Sequence, residues 1–106
     1  MNPLARTAVR VRLGPDDLDE QNARRCTEEL FDLVHLEGYD DLRLDCQDIA
    51  SISTYALMRL IVLSRCLQEM GGRLRLLNVG PQFRAALYRN RVTSLLEDDD
   101  QAADAS

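Results

Sequence analysis

The segment Asp45-Cys46-Gln47-Asp48-Ile49-Ala50-Ser51-Ile52-Ser53-Thr54-Tyr55-Ala56-Leu57 carries the chain from the end of a strand, through a polar turn, into a helix. On its upstream side Leu42-Arg43-Leu44-Asp45-Cys46 alternates apolar and polar side chains, the period-2 pattern of a half-buried strand. On its downstream side Leu57, Leu60, Ile61, Leu63, Leu67 and Met70 form a broad apolar stripe with few charges, which predicts a mostly buried helix over Tyr55–Met70. The turn places hydroxyls at the helix entrance. The first N–H groups of a helix lack intrahelical partners and its N-terminus is electropositive, so Ser53 or Thr54 is positioned to cap it and a phosphate added there is tolerated.

Working outward, Thr7-Ala8-Val9-Arg10-Val11-Arg12-Leu13 alternates as a first strand, with Val9, Val11 and Leu13 on one face and the arginines on the other. Gly14-Pro15-Asp16-Asp17 breaks it, and Asp16, Asp17 or Asp19 can cap the helix expected from about Leu18 to Leu36. Ala23, Cys26, Leu30, Leu33 and Val34 give that helix an apolar stripe, and Gly38 supplies a left-handed stop. Beyond the buried helix, Gly71-Gly72 terminates it and Arg73-Leu74-Arg75-Leu76-Leu77-Asn78-Val79 reads as a third strand, apolar enough at its end to lie inside a sheet. Gly80-Pro81 then opens a short helix to about Asn90, built on Phe83, Ala86, Leu87 and Val92, with a short element near Leu95-Leu96 after it. Alternating strands and helices define an α/β layer with right-handed parallel crossovers, and the polar faces of the first and third strands predict helices mainly on one face.

With 106 residues and 45% hydrophobic composition, the chain can bury one ordinary core. No run approaches the roughly 18 apolar residues of a membrane span, and Met1–Gly14 alternates arginine with apolar residues instead of forming a signal-peptide core, so a cytoplasmic location is expected. Cys26, Cys46 and Cys66 are odd in number and far apart, which excludes a disulfide framework or zinc motif. The net charge of −5, concentrated in Glu97-Asp98-Asp99-Asp100, argues against nucleic acid as the partner. Residues 98–106 read as an acidic, disordered tail. The one histidine, His35, has no dyad partner at a telling spacing and reads as a surface or half-buried helix residue, and no nucleotide, metal or cofactor motif occurs. An enzyme is not expected.

Residues 44–57, LDCQDIASISTYAL, resemble the STAS-domain signature of bacterial anti-sigma-factor antagonists, Leu-Asp-Leu-Ser-Gly-Val-x-Phe-Ile-Asp-Ser-Ser-Gly-Leu. GGRLRLLNVGPQFRAAL, from Gly71 to Leu87, is similar to the family's Gly-Gly-Arg-Leu-x-Leu-x-Asn-Val-x-Pro and the amphipathic helix after it. Leu13-Gly14 and Leu18-Asp19 resemble its turn before the first helix, and the likeness runs over about Val9–Leu96. It implies an STAS-like single domain over residues 1–97, with a mixed or parallel sheet of about four strands and three to four helices. It also implies a regulatory module that binds an anti-sigma factor acting as a serine kinase and is released by phosphorylation. Thr54 falls at the phosphoacceptor position, with Ser53 the weaker candidate, and Asp16, Asp17, Asp19, Ser51, Ser53, Thr54 and Tyr55 fall on the partner-binding surface.

The chain departs from the pattern in three places: Ser53 replaces the family aspartate that a kinase partner reads, Ala56 replaces a glycine, and Tyr55 stands where a small residue is usual. The aspartate's loss favours an alternative, a STAS subunit that is never phosphorylated and regulates a transporter or larger complex, or cradles a small ligand. Only one strand fits before Gly14, so the family's first strand is missing or truncated; a divergent N-terminus is the plainer explanation, and the alternative is a sheet edge left open to homodimerisation by strand pairing.

Overall fold

The computed structural model describes residues 7–95, so the acidic tail expected over 98–106 lies outside the described residues. Three five-residue strands, β1 (Ala8–Arg12), β2 (Asp41–Asp45) and β3 (Arg73–Leu77), alternate with three helices, α1 (Ala23–His35), α2 (Thr54–Glu69) and α3 (Pro81–Arg89). The short element expected near Leu95 is a 3-10 turn, Thr93–Leu95, so the described sheet has three strands rather than about four. All pairings are parallel, in the order β1-β2-β3.

The register explains the layering. Val9 pairs with Leu42 and Leu42 with Leu74, then Val11 with Leu44 and Leu44 with Leu76, so two apolar rows cross the sheet on one face. Onto this face α2 packs Leu57, Leu60, Leu63 and Leu67, all essentially buried, with α1 adding Ala23, Cys26, Leu30 and Val34 and α3 adding Phe83 and Leu87. Full burial of the four α2 leucines contributes roughly 6–12 kcal/mol before chain entropy is set against it. Met70, expected in this stripe, is instead about half exposed, because the helix ends at Glu69 and Met70 is its C-cap. The termination is a Schellman motif: Gly71 lies at φ +80°, the Gly72 N–H donates to the Leu67 carbonyl (2.7 Å) and the Gly71 N–H to that of Gln68 (3.0 Å). In its first half α2 meets α1 through the Arg59 guanidinium, 4.5 Å from the Phe31 ring centroid. Phe31 also stacks on the exposed His35.

Two further expectations are corrected. β3 lies at an edge of the described sheet, not inside it; its apolar end is consumed by the turn into α3, where Asn78 takes a left-handed φ of 56° and Val79 is buried. The first helix begins at Ala23, not Leu18, because the Asp19 carboxylate accepts the N–H groups of Gln21 and Asn22 (both 2.9 Å) and holds residues 19–22 in a turn.

Candidate functional site

Two connections meet at the C-terminal edge of the sheet: Leu13–Asn22, between β1 and α1, and Cys46–Ser53, between β2 and α2. Their starting points are fixed by carboxylates. The Asp17 carboxylate accepts the Gly14 N–H (2.6 Å), closing the turn after β1. At the end of β2 the nearly buried Asp45 accepts from Asn78 Nδ2 (3.0 Å), Arg10 Nη2 (3.0 Å) and the Gln47 N–H (3.1 Å). These donors, Asn78 foremost, hold its carboxyl down at about 2, below the usual carboxylate range. A carboxyl depressed on folding contributes stability that is complete above its unfolded value near 4 and disappears as pH falls towards 2. Asp45→Asn should therefore flatten the acid limb of the stability curve between about pH 4 and pH 2, a difference that solvent screening holds to on the order of 1 kcal/mol, measurable by urea titration at each pH.

The two connections are stitched together by backbone: the Ser53 N–H donates to the Leu18 carbonyl (2.8 Å) and the Ala50 N–H to the Pro15 carbonyl (3.3 Å). The Leu18 side chain is wholly buried beneath them. Between them opens a cleft of about 470 Å³ lined by Asp19, Glu20, Gln21, Ser51, Ile52 and Ser53. On the other side of Ser51 and Ile52 lies a second cleft, of about 310 Å³, completed by Gln82, Phe83, Ala85, Ala86 and Arg89 of α3. Ile52 thus forms a ridge between an acidic hollow and one bordered by an arginine.

At the start of α2 the hydroxyls divide their work. Ser53 is the N-cap, with extended backbone and its Oγ accepting the Ala56 N–H (3.1 Å). Thr54 is the first helical residue and is exposed, as is Tyr55, while Ala56 is fully buried where the family places its glycine. Ser53→Ala should cost about 1 kcal/mol of unfolding free energy, whereas Ser53→Asp keeps the cap and suits the positive helix end, so it should be neutral or stabilising by thermal denaturation.

Of the residues expected from sequence, Asp19, Ser51 and Ser53 line one cleft, and Thr54 and Tyr55 flank it on α2. Asp16 is exposed on the same turn, whereas Asp17 is committed to the Gly14 N–H. Sequence reasoning missed Glu20, Gln21, Ile52 and the α3 pair Gln82 and Arg89, which carry no motif and become neighbours only through the crossover. Burial pushes the Cys46 thiol up to about 12 and the Cys26 thiol to about 11, so neither supplies a thiolate nucleophile at neutral pH. Among the described residues no cluster of His, Cys, Asp and Glu has metal-binding geometry, and no helix is long and apolar enough to cross a membrane.

A small α/β domain with helices on one face, and a capped helix entrance presenting an exposed hydroxyl beside a cleft, is the arrangement of an STAS domain. The family model for the STAS domain matches residues 9–99, and the chain belongs to that family. Its fold is shared with the solution structure of the protein TM1081, at TM-score 0.71 and 19% identity over 85% of this chain and 71% of that one. It is shared as well with the Bacillus cell fate determinant SpoIIAA in its phosphorylated form, at TM-score 0.69 and 16% identity over 98% of this chain and 95% of that one. No curated protein matches the sequence.

Proposed function

We propose that the chain is a non-enzymatic anti-sigma-factor antagonist of a bacterial cytoplasm. Its STAS unit, residues 1–97, binds an anti-sigma factor that is also a serine/threonine kinase, and phosphate on Thr54 releases that partner. The observation that carries this reading is the entrance to α2, where Ser53 lines the cleft and satisfies the helix cap while the next residue, Thr54, is exposed. The likeness to a relative solved in a phosphorylated form supports it. Asp16, Asp19, Ser51, Ser53, Thr54 and Tyr55 form the docking surface, and Asp17 acts on it indirectly by shaping the turn.

The switch is electrostatic. A phosphate brings a charge of roughly −1.5 to −2 to the positive end of a 16-residue helix, which tolerates it, but beside a cleft walled by Asp19 and Glu20 and inside an interface that cannot hydrate it. Thr54→Ala should keep partner affinity and take up no phosphate, while Thr54→Glu should weaken binding by about tenfold or more in titration calorimetry against the cognate anti-sigma factor. Equal affinities for the two variants would remove the switch. Ser53 favours a second reading. Its hydroxyl serves the backbone and no carboxylate stands there for a kinase to read, as expected of a STAS subunit regulating a larger complex without phosphorylation. Mass spectrometry after co-expression with the kinase separates the two: a phosphate on Thr54 supports the switch, and an unmodified chain supports the constitutive module.

A further inference from the structure

The sheet face turned away from the helices is a field of arginines. β1 contributes Arg10 and Arg12, β2 Arg43, and β3 Arg73 and Arg75, all at positions alternating with the core-facing residues. Among the described residues Asp45 pairs with Arg10 (3.0 Å), Asp48 with Arg12 (3.0 Å), and Asp41 is shared among Arg75 (3.3 Å), Arg43 (3.5 Å) and Arg73 (3.9 Å). A guanidinium carries five donors, and the Asp41 carboxylate reaches Arg43 and Arg73 only at 3.5 Å and 3.9 Å, with Arg43 Nε buried and without an acceptor among the described residues. The side chains of Arg10, Arg12, Arg43 and Arg73 are between 43% and 62% exposed, and among the described residues no helix lies over them. Parallel sheets are ordinarily covered on both faces.

The rest of the charge is distributed to match. Through Leu95 the thirteen arginines meet thirteen carboxylates, and the net −5 of the chain comes from Glu97, Asp98, Asp99, Asp100 and Asp104. The Asp16–Glu20 turn, with Asp16, Asp17, Asp19 and Glu20, is acidic and repels such a run. The chain reaches Leu95 in the core beside β3, the edge strand from which Arg73 and Arg75 project to the opposite face. Five residues from Leu96 to Asp100 span up to roughly 17 Å, more than the roughly 10 Å between packed layers.

We propose that the arginine face of the sheet is the docking surface for the chain's own acidic run, Glu97–Asp100, held by charge-assisted and salt-sensitive contacts. The run covers the face and competes with any external polyanion for it. The test keeps the chain at full length and neutralises the run as E97Q/D98N/D99N/D100N. In side-chain NMR spectra the arginine Nε–Hε resonances of Arg10, Arg43, Arg73 and Arg75 should shift between wild type and variant, while those of Arg24 and Arg25 on α1 stay in place. About 1 M NaCl, where the screening length falls to roughly 3 Å, should reproduce the shift in wild type and leave the variant unchanged. Unchanged sheet resonances, or shifts at α1 instead, would overturn the proposal. A difference that appears only as protein concentration rises assigns the face to a second copy's tail and overturns it equally.

Discussion

Gly72→Ala is expected to lower the unfolding free energy by about 3 kcal/mol, read as a loss of about 15 °C in melting temperature. Gly72 immediately precedes β3, and Asp40 immediately precedes β2; the Arg73 N–H donates to the Asp40 carbonyl at 2.9 Å, the first bond of the β2-β3 ladder. A Cβ built on Gly72 falls against the Asp40 carbonyl, 2.8 Å from its carbon and closer still to its oxygen. Both groups are backbone held by strand pairing, so relief requires moving one strand's entrance away from the other. Gly71→Ala is the control. That residue has a φ of +80° but open space around its Cβ, so it should lose only about 1 kcal/mol from the left-handed backbone. Equal losses for the two substitutions in urea denaturation would show that the close approach is not what Gly72 serves.

This neighbouring pair illustrates what was legible in the sequence. Gly71-Gly72 reads correctly as the end of a helix, because a left-handed C-cap is a local requirement. The need for the second glycine is invisible there, since it comes from Asp40, which is near only once β2 and β3 pair. The same division runs through the site. Asp19, Ser51, Ser53, Thr54 and Tyr55 can be read from their places at the ends of elements. By contrast, Ile52, Gln82 and Arg89 become neighbours only when α3 returns against the Cys46–Ser53 connection. The overextended first helix has a similar cause. Periodicity registers the buried Leu18, but the Asp19 carboxylate captures the N–H groups a helix would need, and that competition depends on geometry. The edge position of β3 escaped for a further reason: an apolar strand end looks the same whether a neighbouring strand or a turn covers it.

Leu18 links the stability of the fold to the shape of the site, and its truncation tests that link. Leu18→Ala should cost about 3 kcal/mol, as is usual for a fully buried leucine whose cavity relaxes incompletely. Leu63→Ala, equally buried on α2, should cost a similar amount. The two should differ at the site. Leu18 anchors the turn whose carbonyl accepts the Ser53 N–H, and through that bond it holds the Asp16–Asp19 turn against the entrance of α2. Removing its side chain frees this turn to open without global unfolding, so the Ser53 amide should exchange with solvent about tenfold faster in Leu18→Ala than in Leu63→Ala under native conditions. Core amides such as that of Leu44, on the central strand, should be accelerated equally by both variants, because they report the shared loss of global stability. If Ser53 follows Leu44 in both proteins, the turn is held by the domain as a whole and not by Leu18. If it departs only in Leu18→Ala, the turn beside the entrance of α2 is set by one fully buried side chain.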